Sequence, residues 1–474
     1  MEYDVVIGLE VHCELNTLSK NFSSSPNEYT SDANVNINAV DLALPGTLPV
    51  INKEAVKKAL KMALVLNCEL PDEIVFDRKN YYYVDLPKGY QITQMNKPVG
   101  INGYVMINVG GVDKKVLIHD THLEEDTASL DHYSNYSLID YNRAGIPLLE
   151  TVTEPCLYSA DEAITFLETL RSMFLYCETS EADSKKGQMR CDVNISLKPK
   201  GESKLGTKVE MKNINSFGNV KLAIEYEIKR QSESLNKGEK IIQETRRYDD
   251  TLNKTIPMRA KEDAVDYKYY VEPNLVPIKL TEEYLSELKK EIPAIQYERI
   301  NTYMSKYNLS RYDAEVLVKD REIADYFEEL ISVGEEPKEA ANWISSVLIG
   351  YINKKEISIK DVYVTPKMLH ELIKIVKEGK VSRNQAKEVL ASAIEEKQEP
   401  LSIIKSTHLE TISDDEEIRT VVKEVIAEQV SIVNEYKAGK DRLLDYLVGQ
   451  VMKKTKGKAN PPTVSKLMIE EIRK

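Results

Sequence analysis

The sequence predicts an α+β protein, with a mainly antiparallel sheet in the N-terminal part followed by all-α units. Three observations carry this. Residues 1 to about 290 mix strand alternation, Gly-Pro turns and short helices, whereas the chain from about 291 onward is almost all helix-patterned. The segments 5–14, 190–197 and 208–212 alternate apolar and polar residues at period 2. Beyond Thr365-Pro366, a good N-cap and first-turn pair, Leu369, Leu372, Ile373 and Val376 recur at helical spacing. At 474 residues the chain exceeds one ordinary domain. The expected parts are residues 1–290, 291–408 and 409–474, with the first boundary near Glu291-Ile292-Pro293.

Taken in order, the first strand places Val5, Ile7, Leu9, Val11 and Cys13 toward a core and Glu10, His12 and Glu14 on the other face. A Glu and a His two apart on one strand face can share a divalent cation, or form a solvent-facing polar edge. Cys13, on the apolar side, reads as a buried thiol. Lys79, Asn80 and Tyr81–Tyr83 open a Tyr-rich stretch that fits a nucleotide or a nucleic-acid end, or a surface strand of half-buried tyrosines. An acidic group follows at His122-Leu123-Glu124-Glu125-Asp126, and another carboxylate stands at Glu150. His119 and His122 are three apart, a weak signal alone. Carboxylates with one imidazole suit Mg²⁺ or Mn²⁺ more than zinc.

A hairpin is expected next. Arg190, Asp192, Asn194 and Ser196 share one face of its first strand, and Lys208, Glu210 and Lys212 one face of its second. That face can cradle phosphates and a metal, or hold cross-strand ion pairs in solvent. A similar cationic segment is Glu244-Thr245-Arg246-Arg247, followed by Met258-Arg259. Asn274 to Leu280 reads as a loop. Trp343, the single Trp, reads as a core anchor, the turn Glu378-Gly379-Lys380 as a helix end and Ser382 as the next cap. From Met452 to Lys474, seven Lys/Arg face two acids, which fits a solvated tail or an RNA-phosphate contact.

Several classes are excluded. No run of about 18 apolar residues exists, so no membrane span is expected. The acidic N-terminus enters a strand pattern at once, so no signal or transit peptide is expected. Five scattered cysteines without a CxxC pair argue against a disulfide framework and for a reducing cytoplasm. A net charge of -13 is wrong for a general nucleic-acid coat. Gly201 to Lys208 has the glycines of a P-loop but Thr-Lys in the wrong order, and it lies between strands. No GxGxxG, HExxH, GxSxG or Gly/Ser-rich amidase run is present, so no covalent nucleophile can be named.

Together the segments resemble the B subunits of the aspartyl/glutamyl-tRNA amidotransferases. The stretches that carry the resemblance are Gly8–His12, Leu44–Asn52, Asp77–Tyr81, Asp85–Ile92, His122–Asp126, Asn142-Arg143 to Glu150, Arg190–Ser196, Lys212–Phe217, Glu244–Arg247 and Gly457–Pro461, in order over nearly the whole chain. The resemblance implies a catalytic cradle domain followed by helical and tail domains that bind tRNA. It implies ATP-dependent amidation of misacylated Glu-tRNA(Gln) or Asp-tRNA(Asn), with Mg²⁺ (or Mn²⁺), through a phosphorylated side-chain carboxylate. Ammonia would come from a separate amidase subunit, joined through a small bridging third subunit, in a heterotrimer of the cytoplasm.

Carried over by motif, Glu10, His12, Glu124, Glu125 and Glu150 match the metal-site region. His12, Glu125, Glu150, Lys79 and Asp192 are the expected catalytic residues. Lys79, Arg190, Asp192 and Lys212 are the expected nucleotide or carboxylate contacts. Where many relatives place two cysteine pairs around zinc, this chain has Ser23, Ser25, Asn38 and Asp41, so no zinc is expected and packing alone must hold that loop. There is no room for the inserted domain of the archaeal paralogue. Two other classes remain in view: a stand-alone metal-dependent phosphotransferase or hydrolase, and a non-catalytic tRNA-binding protein.

Overall fold

A computed structural model describes residues 2–214, 216–260, 266–407, 415–455, 459 and 461–473. The chain forms two compact units, Met1–Tyr297 and Glu298–Lys474. The first division therefore falls a few residues beyond Pro293, inside a helix. The expected second boundary at 408/409, and Lys456, Gly457, Lys458, Asn460 and Lys474 of the tail, lie outside the described residues.

The first unit runs β1 (Tyr3–Glu14), α1 (Lys53–Val65), β2 (Glu73–Ile74), β3 (Asp77–Asn80), β4 (Tyr90–Thr93), β5 (Gly100–Val109), β6 (Val112–Glu125), β7 (Ser129–His132), β8 (Ser137–Asp140), β9 (Pro147–Thr153) and α2 (Ala160–Tyr176). It continues with β10 (Met189–Pro199), β11 (Val209–Ile214), α3 (Phe217–Asn236), β12 (Glu244–Asp249), β13 (Lys254–Ala260), β14 (Tyr270–Val271), β15 (Ile278–Lys279) and α4 (Glu282–Lys290). Eight strands form one sheet in the order β13-β12-β11-β10-β1-β9-β6-β5. Its pairings are antiparallel except β11 with β12, which α3 connects as a crossover. The stretch read as a loop, 274–280, contains β15, because Ile278 and Lys279 pair with β2.

The period-2 pattern decides the two faces. Ile7, Leu9, Val11 and Cys13 of β1 and Cys191, Val193 and Ile195 of β10 join one core with Phe166, Leu170 and Phe174 of α2 and Ala223 and Ile224 of α3. Both helices start at serine caps: Ser159 accepts from the Glu162 amide and Ser216 from the Asn219 amide. Burial of apolar surface against this helical layer stabilises that face, at roughly 25 cal/mol per Å². The opposite face is left without that cover and carries the charged residues.

The loop between β1 and α1 is not held by packing alone. Asp41, buried, accepts from Ser23 Oγ at 2.7 Å, Ser25 Oγ at 2.5 Å and the Asn38 amide at 2.9 Å, so the four positions in question meet around one carboxylate. Lys20 Nζ, fully buried, lies 3.8 Å from the same group, and burial lowers its pKa to about 8.

The second unit contains α5 (Gln296–Tyr307, which crosses the division), α6 (Arg311–Val318), α7 (Arg321–Ser332), α8 (Pro337–Trp343), α9 (Ile349–Lys355), α10 (Pro366–Lys377), α11 (Arg383–Glu396) and α12 (Pro400–Ser406). The described chain resumes with α13 (Asp415–Glu428), α14 (Val430–Lys437), α15 (Leu443–Lys454) and α16 (Pro461–Arg473). Thr365 caps α10 with Pro366 in its first turn, Glu378 and Gly379 end that helix, and Ser382 caps α11. Trp343 is fully buried and donates to Glu339 at 2.7 Å. Among the described residues, one apolar cluster spans Tyr303 to Ile404 and another Ile418 to Ile472. Lys454 is committed to Glu424 and Glu428, at 3.0 and 2.6 Å. No helix is long and apolar enough to cross a membrane among the described residues.

A candidate metal centre on the polar sheet face

Register assembles the site. His12 of β1 stands opposite Arg190 of β10 on one side and Glu150 of β9 on the other, and Glu150 in turn stands opposite His122 of β6. Directly opposed residues in a sheet share a face, so four strands deliver Arg190, His12, Glu150 and His122 as one row. Glu124, two residues beyond His122, points the same way. One rung along β1, Glu10 faces Asp192.

The distances are short. His12 Nε2 lies 3.2 Å from Glu150 Oε2 and 3.8 Å from Glu124 Oε1. His122 Nε2 lies 3.1 Å from the same Glu150 oxygen and 3.9 Å from Glu124 Oε2. One ligand atom from each of His12, Glu124 and Glu150 fits within a mutual 4.8 Å. His122 Nδ1 meets Asp120 Oδ1 at 2.7 Å. That pairing is the carboxylate–histidine arrangement that orients imidazoles at metal centres. Asp120 and His122 are two apart on β6, in regular register with Val152 and Glu150, so they share a face.

The electrostatics follow from crowding buried carboxylates. Burial opposes charging His12, but Glu150, Glu124 and Asp192 outweigh it and push its pKa to about 9. His122 is likewise raised against burial, by Glu150 and Asp120. Glu150 is also buried, yet the two imidazoles hold it well below the usual carboxylate range. Glu124 goes the other way: burial and then Glu150 push it up. Two carboxylates and an imidazole around one point offer the donor set of a hard divalent cation such as Mg²⁺ or Mn²⁺. His12, Glu124 and Glu150 would hold it.

The other expected residues separate. Glu125 is not in the cluster, because consecutive strand residues point to opposite faces. It is buried against Lys88 Nζ, 2.6 Å from both carboxylate oxygens, and accepts the Ile92 amide at 2.9 Å. Glu10 is also outside the group of three; it accepts from Asn194 Nδ2 at 2.8 Å. Asp192 pairs with Lys212 Nζ at 2.7 Å, and Lys212 also lies 3.3 Å from Glu210. Burial opposes the Lys212 charge, but Asp192, Glu210 and Glu10 hold its pKa above the usual lysine value. Arg190 donates to Asp126 at 2.7 Å, and its Nε is buried without a hydrogen-bond partner among the described residues. Lys79 lies over the Tyr267 ring at 5.1 Å, and its charge reaches Glu124.

His122 and Asp120 are site residues that the HxxH spacing did not reveal; the better signal was His122 and Glu124 two apart, repeating Glu10 and His12. Of the cationic segment noted in the sequence, Arg247 stands opposite Lys212, on the polar face, whereas Arg246 turns inward to Glu227.

A family described as the GatB/GatE catalytic domain matches residues 5–286 of this chain. The chain belongs to that family. A second, described as the GatB domain, matches residues 325–472. Relatives named as the B subunit of aspartyl/glutamyl-tRNA(Asn/Gln) amidotransferase are similar end to end. Those of Halalkalibacterium halodurans and Persephonella marina are each 46% identical, with all of both chains covered. That of Oceanobacillus iheyensis is 44% identical over all of this chain and 99% of its own. The catalytic-domain match contains the whole polar sheet face, from β1 to β12.

Proposed function

We propose that this chain is the B subunit of a glutamine-hydrolysing, tRNA-dependent amidotransferase. It would convert Glu-tRNA(Gln), Asp-tRNA(Asn) or both to the amidated forms. The observation that carries the chemistry is the convergence of His12, Glu124 and Glu150, beside His122, on a sheet face that also holds Asp192–Lys212 and Arg190.

A carboxylate is a poor electrophile, and transfer of the ATP γ-phosphoryl group to its oxygen makes that oxygen a leaving group for ammonia. The chemistry is mainly positioning and charge neutralisation. A bound Mg²⁺ supplies Lewis-acid stabilisation of phosphate charge. His12, Glu124 and Glu150 would hold it, Asp120 orients His122, and Lys212, Arg190 and Lys79 provide fixed positive charge for phosphates or the substrate carboxylate. Asp192 fixes Lys212. Glu125, with Lys88, serves the loops beneath the site. Ammonia comes from an amidase partner, with a small third subunit bridging the two, and the helical unit with the basic tail holds the tRNA body. The setting is the cytoplasm.

The test is to co-express the chain with the amidase and bridging partners and measure conversion of Glu-tRNA(Gln) with ATP, Mg²⁺ and glutamine, with and without His12→Ala. The variant is expected to lose about 10²–10³-fold or more in rate, the scale of losing one preorganised electrostatic group, while tRNA binding persists. Full activity of His12→Ala removes the metal-site assignment. No conversion of either misacylated tRNA by the unaltered complex replaces this reading with that of a tRNA-binding protein.

A further inference from the structure

Alternation along β3 and into Tyr81 puts Lys79 and Tyr81 on one side of the chain and Arg78 and Asn80 on the other. The second pair ties down the segment 267–272. Asn80 donates its amide to the Tyr267 carbonyl at 3.0 Å and its Nδ2 to the Lys268 carbonyl at 2.7 Å. Arg78 stands opposite Tyr270 in register and donates to the Tyr270 hydroxyl and to Glu272, each at 3.0 Å. Tyr267 and Tyr269 are thereby brought beside Lys79 and Tyr81. The Tyr267 ring meets those of Tyr81 and Tyr269 edge-on, with 6.2 Å between centroids in both cases, and Lys79 Nζ stands 5.1 Å from the Tyr267 centroid. We propose that this tyrosine–lysine nest is the stacking seat for the 3′-terminal nucleobase of the aminoacyl-tRNA. The proposal rests on the reading of the metal cluster as a tRNA-dependent amidation site and adds where the acceptor end of that substrate lies.

The nest is not consumed by the fold. Tyr141, Tyr303 and Tyr326 each commit their hydroxyl to a protein acceptor. Among the described residues, the hydroxyls of Tyr81, Tyr267 and Tyr269 have no such partner, and Lys79 has no carboxylate within ion-pair distance. Tyr269 is 36% exposed, so its ring is open to a ligand from solvent. Bases at a single-stranded RNA end are held in this way, by stacking on aromatic side chains with a cation near the backbone.

The nest also lies at the right place. Burial raises the pKa of both Tyr81 and Tyr269; Glu124 adds to it at both rings and Glu150 at Tyr269, so the nest stands in the field of the candidate metal ligands. An ester joins the terminal ribose directly to the amino acid. The terminal base must therefore sit one aminoacyl length from the carboxylate that reacts.

The two sides of the cluster differ as two substrates require. Lys212 and Arg247 lie toward β11 and β12, beyond β10 and β1. The nest lies on the β6 side, where Ile92 of β4, the partner strand of β3, donates to Glu125 at 2.9 Å. In-line phosphoryl transfer places donor and acceptor on opposite sides of the moving group. Fixed cations on one side suit the phosphate donor, and tyrosines on the other suit the tRNA end.

The experiment measures, by fluorescence anisotropy, binding of the full-length chain to tRNA(Gln) labelled away from its acceptor end and ending either in -CCA or in -CC. Removing the terminal adenosine is expected to weaken binding by the unaltered chain about tenfold. Tyr81→Ala and Tyr269→Ala should each bind the -CCA form about tenfold more weakly and show little further loss with -CC, whereas Tyr81→Phe and Tyr269→Phe should keep the preference for -CCA. Equal binding of the two RNAs by the unaltered chain overturns the seat and leaves the amidation reading intact. So does an undiminished preference for -CCA in both alanine variants, and if those variants instead raise the KM for ATP, the rings hold the other substrate. Binding of neither RNA by the unaltered chain removes the tRNA reading together with the seat. Should Tyr81→Ala misfold, the more exposed Tyr269→Ala decides.

Discussion

The sheet of the first unit brings a buried carboxylate to each of its faces, and the two are completed in different ways. On the helical side, Glu227 of α3 receives Nε and Nη2 of Arg230, both at 2.8 Å, and Gln231 Nε2 at 3.0 Å, with Arg246 Nε 3.2 Å away. Burial alone would raise its pKa, but these donors and Thr255 lower it. On the polar side, Glu124 is also buried, yet among the described residues the one hydrogen bond to its carboxylate is a long one from Thr93, 3.4 Å. Burial and the neighbouring Glu150 raise its pKa. The same chemical group is thus held by many protein donors on one face and by few on the other. On the proposed reading, a cation and substrate complete the open cluster.

That contrast can be broken from either side. The largest effect expected is on the closed face: Glu227→Ala strands Arg230 and Arg246 and should cost about 3–5 kcal/mol of stability, read by chemical denaturation. A loss under 1 kcal/mol would mean that the cluster is ornamental. On the open face, Asp120→Asn releases His122 and should weaken Mn²⁺ binding about 10–100-fold, measured calorimetrically; unchanged affinity would take His122 out of the site.

The next effect is in pH. The folded pKa of Glu227 lies below its unfolded value, so its contribution is present above roughly pH 4.3 and is lost as pH falls from there toward the folded value. Thermal melts between pH 7 and 3 should decline less steeply for Glu227→Gln than for the unaltered chain. The smallest effect has the opposite sign. Because folding raises the pKa of Glu124, Glu124→Gln should raise the metal-free melting point at neutral pH by a few tenths to about 1 kcal/mol equivalent. It should also abolish the stabilisation by Mn²⁺. A destabilised metal-free variant would show that the carboxylate is structurally satisfied after all.

Much of this was legible in the chain. Period 2 in β1 separates Ile7, Leu9 and Val11 from Glu10 and His12 without any coordinates, since the pleat alone fixes the faces. The hairpin of β10 and β11 and the caps at Thr365 and Ser382 are equally local. The choice between Glu124 and Glu125 was not. Alternation says only that they face opposite sides; the pairing of His122 with Glu150 says which side holds the site. The Asp120 contact follows from the same alternation, since Asp120 and His122 are two apart on β6.

The partition between sequence and tertiary structure follows from range. Alternation, capping and charge are set by each residue and its near neighbours, so the sequence alone determined an α+β chain with Glu10, His12, Glu124, Glu125 and Glu150 as candidate ligands. Strand order and register depend on contacts between segments more than a hundred residues apart, as between His12 and Glu150. Only the assembled sheet could therefore decide that Glu124 and His122 join His12 and Glu150, and that Glu125 turns to Lys88.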